Sequence, residues 1–269
     1  MYRGISGPQN GKESAQMDVT TGFFTGFNGD QLAVHMAGPQ DGRPVVLVHG
    51  LFSSAQINWV KFGHAALLAD AGFRVIMPDL RAHGQSSAPH DPASYPEDVL
   101  VKDLLILIEH LGLTDYDLGG FSLGARTVTR GVVSGLSPRR LVLGGMGLEG
   151  LAGWAGRSAF FIDVIDRFGT IKHGDPAYIA QQFMKAQKVD QIAARLLLGS
   201  VDDTPPEALA RITQPVLVVC GDDDQDNGSA PRLAEVLADA RYVEVPGTHM
   251  GSVTQKAMGE AILAFLTEG

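Results

Sequence analysis

Asp115-Tyr116-Asp117-Leu118-Gly119-Gly120-Phe121-Ser122-Leu123-Gly124-Ala125-Arg126 is the stretch on which the fold turns. A short run suited to a strand ends in Gly120-Phe121-Ser122-Leu123-Gly124, and a helix-like pattern follows it. Gly-x-Ser-x-Gly between a strand and a helix is the signature of a nucleophile elbow. The serine of such a turn is expected at positive φ, a state that costs a non-glycine residue about 1–3 kcal/mol. The departing helix must pass very close to the arriving strand, and Gly120 and Gly124 have no Cβ to block that approach. Gly119 and Ala125 widen the small-residue zone. A glycine-rich turn around an ordinary serine fits the same five letters, so the rest of the chain must separate the two readings.

The chain has 269 residues, 45% of them apolar and 19% charged. That composition describes an ordinary globule with a sizeable core. A net charge of −9 argues against nucleic acid as a partner, which needs a basic surface, and against an anionic membrane. The single cysteine, Cys220, allows no internal disulfide and fits a reducing, cytoplasmic setting. No run reaches the roughly 18 apolar residues of a membrane helix. Residues 1–17, rich in Gly, Ser and Gln, read as a mobile tail.

From residue 20 the chain alternates strands and helices. Two strand-like runs, 22–27 and 31–36, flank Asn28-Gly29-Asp30, a hairpin signal. Pro44-Val45-Val46-Leu47-Val48 suits a strand covered on both faces. A helix is expected over 57–71, a strand over 73–77, a helix over 96–111, the elbow and its helix over 123–135, and a strand over 140–145. Residues 148–210 break the rhythm with helix-like patches carrying Trp154, Phe160, Phe161, Phe168 and Phe183, and are read as a helical lid. Strands over 215–221 and 241–245 and helices over 231–240 and 252–267 finish the chain. The pattern predicts an α/β fold with a mostly parallel sheet, helices on both faces and an antiparallel N-terminal edge. Ligands in such sheets bind beyond the carboxyl ends of the strands.

That rule tests the elbow. A serine hydroxyl needs a base, and the base needs an orienting acid; around an elbow the chain order is Ser, then Asp or Glu, then His. Gly221-Asp222-Asp223-Asp224 follows one strand after Ser122, and Gly247-Thr248-His249 follows the next. Together with His49-Gly50-Leu51-Phe52, Asp79-Leu80-Arg81-Ala82-His83-Gly84-Gln85-Ser86 and the elbow, these motifs stand in order and at usual spacing. In them the chain resembles the α/β-hydrolase superfamily, in its serine-nucleophile, esterase-like branch, over residues 20–268. The resemblance implies an eight-stranded sheet, a core of residues 18–147 and 211–269, a lid over 148–210, and no cofactor or metal.

It also implies site residues. Ser122 is the nucleophile and His249, the one histidine after the last strand, the base. The pattern Gly-x-x-Asp selects Asp224 as the acid, with Asp222, Asp223 and Asp226 in the same loop and Glu149 as the candidate after the preceding strand. Backbone N–H groups of Leu51 and Leu123 form the oxyanion hole. Phe52, Phe121, Met146, Trp154 and Met250 are expected to line the pocket. His49 and His83 position loops through ring hydrogen bonds. Arg126 is expected on a solvated face, paired with a carboxylate, and Cys220 in the core. The implied activity is hydrolysis of carboxylic esters of small to medium apolar acyl substrates, a small-molecule partner. Lactone or C–C hydrolysis and cofactor-free perhydrolysis need the same triad, and a ligand receptor can use the same fold. A serine rather than an aspartate at 122 disfavours dehalogenase and epoxide-hydrolase chemistry.

Overall fold

Continuous apolar runs become central strands because both of their faces are covered. The computed structural model describes residues 18–268, so the tail expected over 1–17 lies outside the described residues. β1 (Thr20–Thr25) and β2 (Gln31–Ala37) make the hairpin, with Asn28 and Gly29 at positive φ between them. β3 (Arg43–Val48), β4 (Phe73–Pro78), β5 (Asp117–Phe121), β6 (Leu141–Gly144), β7 (Val216–Asp223) and β8 (Ala240–Thr248) follow. The sheet has eight strands in the order β1-β2-β4-β3-β5-β6-β7-β8. β1 and β2 pair antiparallel, as do β2 and β4, and the remaining pairs are parallel. The predicted α/β fold class holds.

Alternation along β3 shows how the sheet divides the core. Val45 and Leu47 face one apolar cluster and Val46 and Val48 the other, as a side-chain period of two requires. α1 (His64–Asp70) covers the first face; α2 (Val99–His110) and α3 (Leu123–Val133) cover the second. Residues 148–210 hold α4 (Leu148–Ala152), α5 (Trp154–Asp166), α6 (Tyr178–Ala186) and α7 (Gln191–Leu198) and no strand. α8 (Ala230–Val236), α9 (His249–Ser252) and α10 (Lys256–Thr267) complete the chain, with α10 packed on α1. Among the described residues no helix is long and apolar enough to cross a membrane.

One expected helix is broken. Residues 57–71 split into a wider π-helical turn, Gln56–Val60, and α1, separated by Gly63 at φ 82°. In this turn Asn58 and Trp59 are both buried, at 3% and 1% exposure. Such insertions often sit at functional sites; this one delivers Asn58 to the loop after β3.

Candidate active site

β3 and β5 are neighbours, but the chain turns from β3 to β4 on one side before crossing to β5 on the other. Strand order reverses there, and the crevice beyond such a point is where α/β sheets bind ligands. Ser122 follows β5 and caps α3, at φ 54° and ψ −114°. A Cβ on Gly120 would overlap the backbone of Gly124, and one on Gly124 the carbonyl of Val48. Both glycines are therefore required by the closeness of α3 to β5 and β3.

His249 opens α9, just past β8. Gly247, at φ 117°, makes the turn before it and donates its amide to Asp222 Oδ1 at 2.7 Å. The imidazole Nε2 lies 3.0 Å from Ser122 Oγ, and Nδ1 lies 2.9 Å from Asp224 Oδ2. The His249 and Asp224 side chains are only 6% and 2% exposed, and the Phe121 ring rests against the imidazole with centroids 5.1 Å apart. A carboxylate accepting from Nδ1–H leaves the Nε2 lone pair facing the hydroxyl, the tautomer that can take its proton. The structure thus brings Ser122, Asp224 and His249 together.

The rival carboxylates have other partners. Asp222 holds the Gly247 amide, Asp226 faces Arg157 at 3.4 Å, and Asp223 is exposed. Glu149 accepts from Ser229 N at 2.8 Å and from Arg232 at 2.7 Å, and does not meet His249.

The loop after β3 is fixed by side chains from three directions. Gly50 N donates to Asn58 Oδ1 at 2.9 Å, Phe52 N to His83 Nε2 at 2.8 Å and Ala55 N to Asp79 Oδ1 at 2.8 Å. In return Leu80 N donates to His49 Nε2 at 2.9 Å. The Leu51 and Leu123 amides carry no hydrogen bond to a protein group among the described residues. Leu123 is the first residue of α3, where an N–H has no intrahelical partner and the helix dipole favours negative charge.

A cavity of about 360 Å³ opens over Ser122 and His249. Leu51, Phe52, Phe121 and Met250 line it, with Phe160, Phe161 and Phe183 from the helical insertion. Phe161 packs edge-on against Phe52, centroids 5.2 Å apart. Two expected lining residues are corrected. Met146 is buried in the core beneath β7, its carbonyl facing Cys220 Sγ at 3.6 Å. Trp154 is anchored by Nε1–H to Leu198 O at 2.9 Å and lies under the Arg126 guanidinium at 5.1 Å. Of the insertion aromatics, Phe160, Phe161 and Phe183 thus face the cavity.

Arg126 is a further correction. It is 2% exposed, not solvated. Its guanidinium donates to Leu151 O, Asp202 O and Asp203 Oδ1 at 3.0, 3.1 and 3.1 Å, and also to Gly150 O. It ties both ends of the insertion to α3.

Burial sets the charge of the supporting histidines. It pushes His83 down to about 3 from the ordinary 6.5 and lowers His49 and His64 as well. Burial alone would raise Asp79, but the His35 ring and the Gln85 and Ala55 amides outweigh it and hold the carboxyl at about 2. Each such histidine holds its proton less tightly in the fold than in the unfolded chain. Between 6.5 and its folded value the unfolded chain therefore binds more protons, and stability falls as pH falls, by at most about 1.4 kcal/mol per pH unit per histidine. Thermal melts are expected to show Tm constant above pH 7 and falling steadily from pH 6.5 to 4. Asp79 adds a further loss below the ordinary 3.8. A Tm unchanged from pH 7 to pH 4.5 would contradict this account.

A family model described as alpha/beta hydrolase fold matches residues 43–130, the segment holding β3, the elbow and most of α3. The chain belongs to the α/β-hydrolase superfamily. A Pseudomonas putida protein named dihydrolipoyllysine-residue acetyltransferase component of acetoin cleaving system is 30% identical over 210 residues, 70% of this α/β-hydrolase and 53% of that protein. The chain thus spans about half the length of this relative. The non-heme chloroperoxidase of Streptomyces lividans is 29% identical over 283 residues, 91% of this α/β-hydrolase and 99% of the relative. Among solved structures, a hydrolase from Pseudomonas aeruginosa PA01 superposes with a TM-score of 0.72, at 23% identity, over 95% of this chain and all of its own. At that identity the likeness speaks to the fold alone.

Proposed function

We propose that this α/β-hydrolase is a serine hydrolase that cleaves carboxylic esters of small to medium apolar acyl substrates through an acyl-enzyme. The observation that carries the reading is the unbroken line Ser122 Oγ, His249 Nε2, His249 Nδ1, Asp224 Oδ2, with steps of 3.0 and 2.9 Å, at the floor of an apolar cavity. Ser122 Oγ attacks the ester carbonyl while His249 takes its proton. The carbonyl oxygen, now an oxyanion, accepts from the Leu51 and Leu123 amides. The intermediate collapses, the acyl–oxygen bond breaks, and His249 returns the proton to the departing alkoxide. Water, deprotonated by His249, then releases the acid and restores Ser122. Asp224 holds the imidazolium throughout. No step calls on a cofactor. The helical insertion acts as a lid that gives the cavity its apolar wall, and the substrate is a small molecule.

A second reading keeps the acyl-enzyme and changes the acceptor. The relative that matches almost end to end is named a chloroperoxidase. Hydrogen peroxide in place of water would release a peracid, and a peracid oxidises chloride to hypochlorous acid while becoming the carboxylate.

A fluorophosphonate probe tests the common core. It is expected to phosphonylate Ser122, read by mass spectrometry of the labelled peptide, in step with loss of p-nitrophenyl acyl ester turnover. An intact protein that neither labels nor turns over any acyl ester would overturn the enzyme reading in favour of a receptor. Peracid formation from acetate and peroxide, compared with ester hydrolysis, separates the two readings.

A further inference from the structure

The oxyanion hole just proposed has an unusual support. Leu51 must aim its N–H at a developing charge, and the residue after it, Phe52, sits at φ 56°, a left-handed state that few bulky residues adopt. Something has to hold that turn open. The Phe52 amide points away from the cavity to His83 Nε2, 2.8 Å off. His83 Nδ1–H in turn donates to Arg81 O at 2.8 Å, which fixes the tautomer with the Nε2 lone pair free to accept. The two rings also stack, 6.2 Å apart and 25° from parallel.

The arrangement is reciprocal. His49, on the loop after β3, accepts from Leu80 N on the loop after β4, and His83, on the loop after β4, accepts from Phe52 N on the loop after β3. The two rings meet edge to face, centroids 5.1 Å apart. Two neutral imidazoles thus join the loops in both directions, and the Leu51 peptide lies between the joints. The His83 side chain belongs to a buried residue, 5% exposed, so neither substrate nor solvent competes for its lone pair.

We propose that His83 is a positioning residue of the reaction: by holding the Phe52 amide it points the Leu51 amide at the oxyanion. The inference rests on the serine-hydrolase reading. His83 touches no reacting atom, and its effect is on the transition state. Donors preset toward developing charge act on kcat far more than on substrate binding.

The test compares three variants on a p-nitrophenyl acyl ester with wild type measured alongside. His83→Phe keeps a planar ring but removes the acceptor. His83→Gln returns an oxygen at the ε position. His83→Asn carries polar atoms only at the δ position, where they can keep the Arg81 contact without reaching Phe52. His83→Phe and His83→Asn are expected to lower kcat by about 10- to 100-fold with KM within about twofold, and His83→Gln to recover most of the loss. The affinity of a boronic acid, which forms a tetrahedral adduct on Ser122, should fall in proportion to kcat/KM, while that of a non-reactive substrate analogue stays level. A purely structural histidine would lower Tm in all three without that split. Should His83→Phe fail to fold, the contrast between Gln and Asn decides alone. The proposal is overturned if folded His83→Phe or His83→Asn keeps wild-type kcat, if Gln is as slow as Asn, or if boronate affinity does not change. Wild type inactive toward every acyl ester would sink the hydrolase reading itself, a separate outcome from any failure among the variants.

Discussion

Replacing Ser122 by Ala is expected to lower kcat for a p-nitrophenyl acyl ester by about 10⁶-fold, with KM nearly unchanged. Among the described residues the Oγ has one hydrogen-bond partner, His249 Nε2 at 3.0 Å. The serine amide, which the substitution keeps, goes on donating to Gly144 O at 2.8 Å. The cavity and the oxyanion amides therefore survive, and only the bond-forming atom is lost. His249→Ala is expected to cost about as much, and the double variant little more, because nucleophile and base act as one unit. A Ser122→Ala protein retaining a few per cent of wild-type kcat would end the acyl-enzyme reading.

Asp224→Asn is the second large effect, about 10⁴-fold in kcat by analogy with other triads. The amide nearly matches the carboxylate in shape, but its NH₂ can be placed against Nδ1. The ring then prefers its proton on Nε2 and can no longer accept one from Ser122. Structure and stability should be nearly intact, so circular dichroism and Tm serve as the control. Glu149→Gln is expected to change kcat by no more than about twofold, since its loss removes only a partly solvated pairing with Arg232 and Ser229. A large loss at Glu149 together with a mild one at Asp224 would reverse the assignment of the acid.

The parts of this molecule that were readable from its sequence are those where a local rule and the global fold agree. Val45 to Val48 is a strand in any context that covers both faces. Gly120 and Gly124 are glycine because the backbone leaves no volume there, and His249 follows the last strand. The acidic loop was legible as a loop, but four aspartates within five residues differ only in where the backbone turns each side chain. Asp222 and Asp224 became distinct once Gly247 N and His249 were seen to occupy different oxygens.

Tertiary context governed the rest. Asn58 carried no signal, because the wider turn that points it at Gly50 departs from the helical period used to predict residues 57–71. Arg126 reads as solvated because charged helix residues usually are, and tertiary contacts with residues 150–154 and 202–203 bury it. Met146 and Trp154 are expected in the pocket as an apolar residue beside the site and an aromatic of the insertion, yet one faces the core and the other a helix end. Among the insertion aromatics, the face each ring presents depends on how α5 and α6 pack, which no periodicity in so short a segment determines.

Arg126 and its neighbour one turn on, Arg130, have a consequence for how such a protein diversifies. Arg126 grips residues 150–151 and 202–203, and Arg130 binds Asp98, the Asp202 carboxylate and the Asp203 carbonyl. The excursion of some fifty residues thus departs from and rejoins the body beside α3, where these two arginines hold both of its ends. If the hydrolase reading proposed above holds, changes in the stretch between those clasps would alter the cavity wall while leaving Ser122 and His249 seated on the sheet.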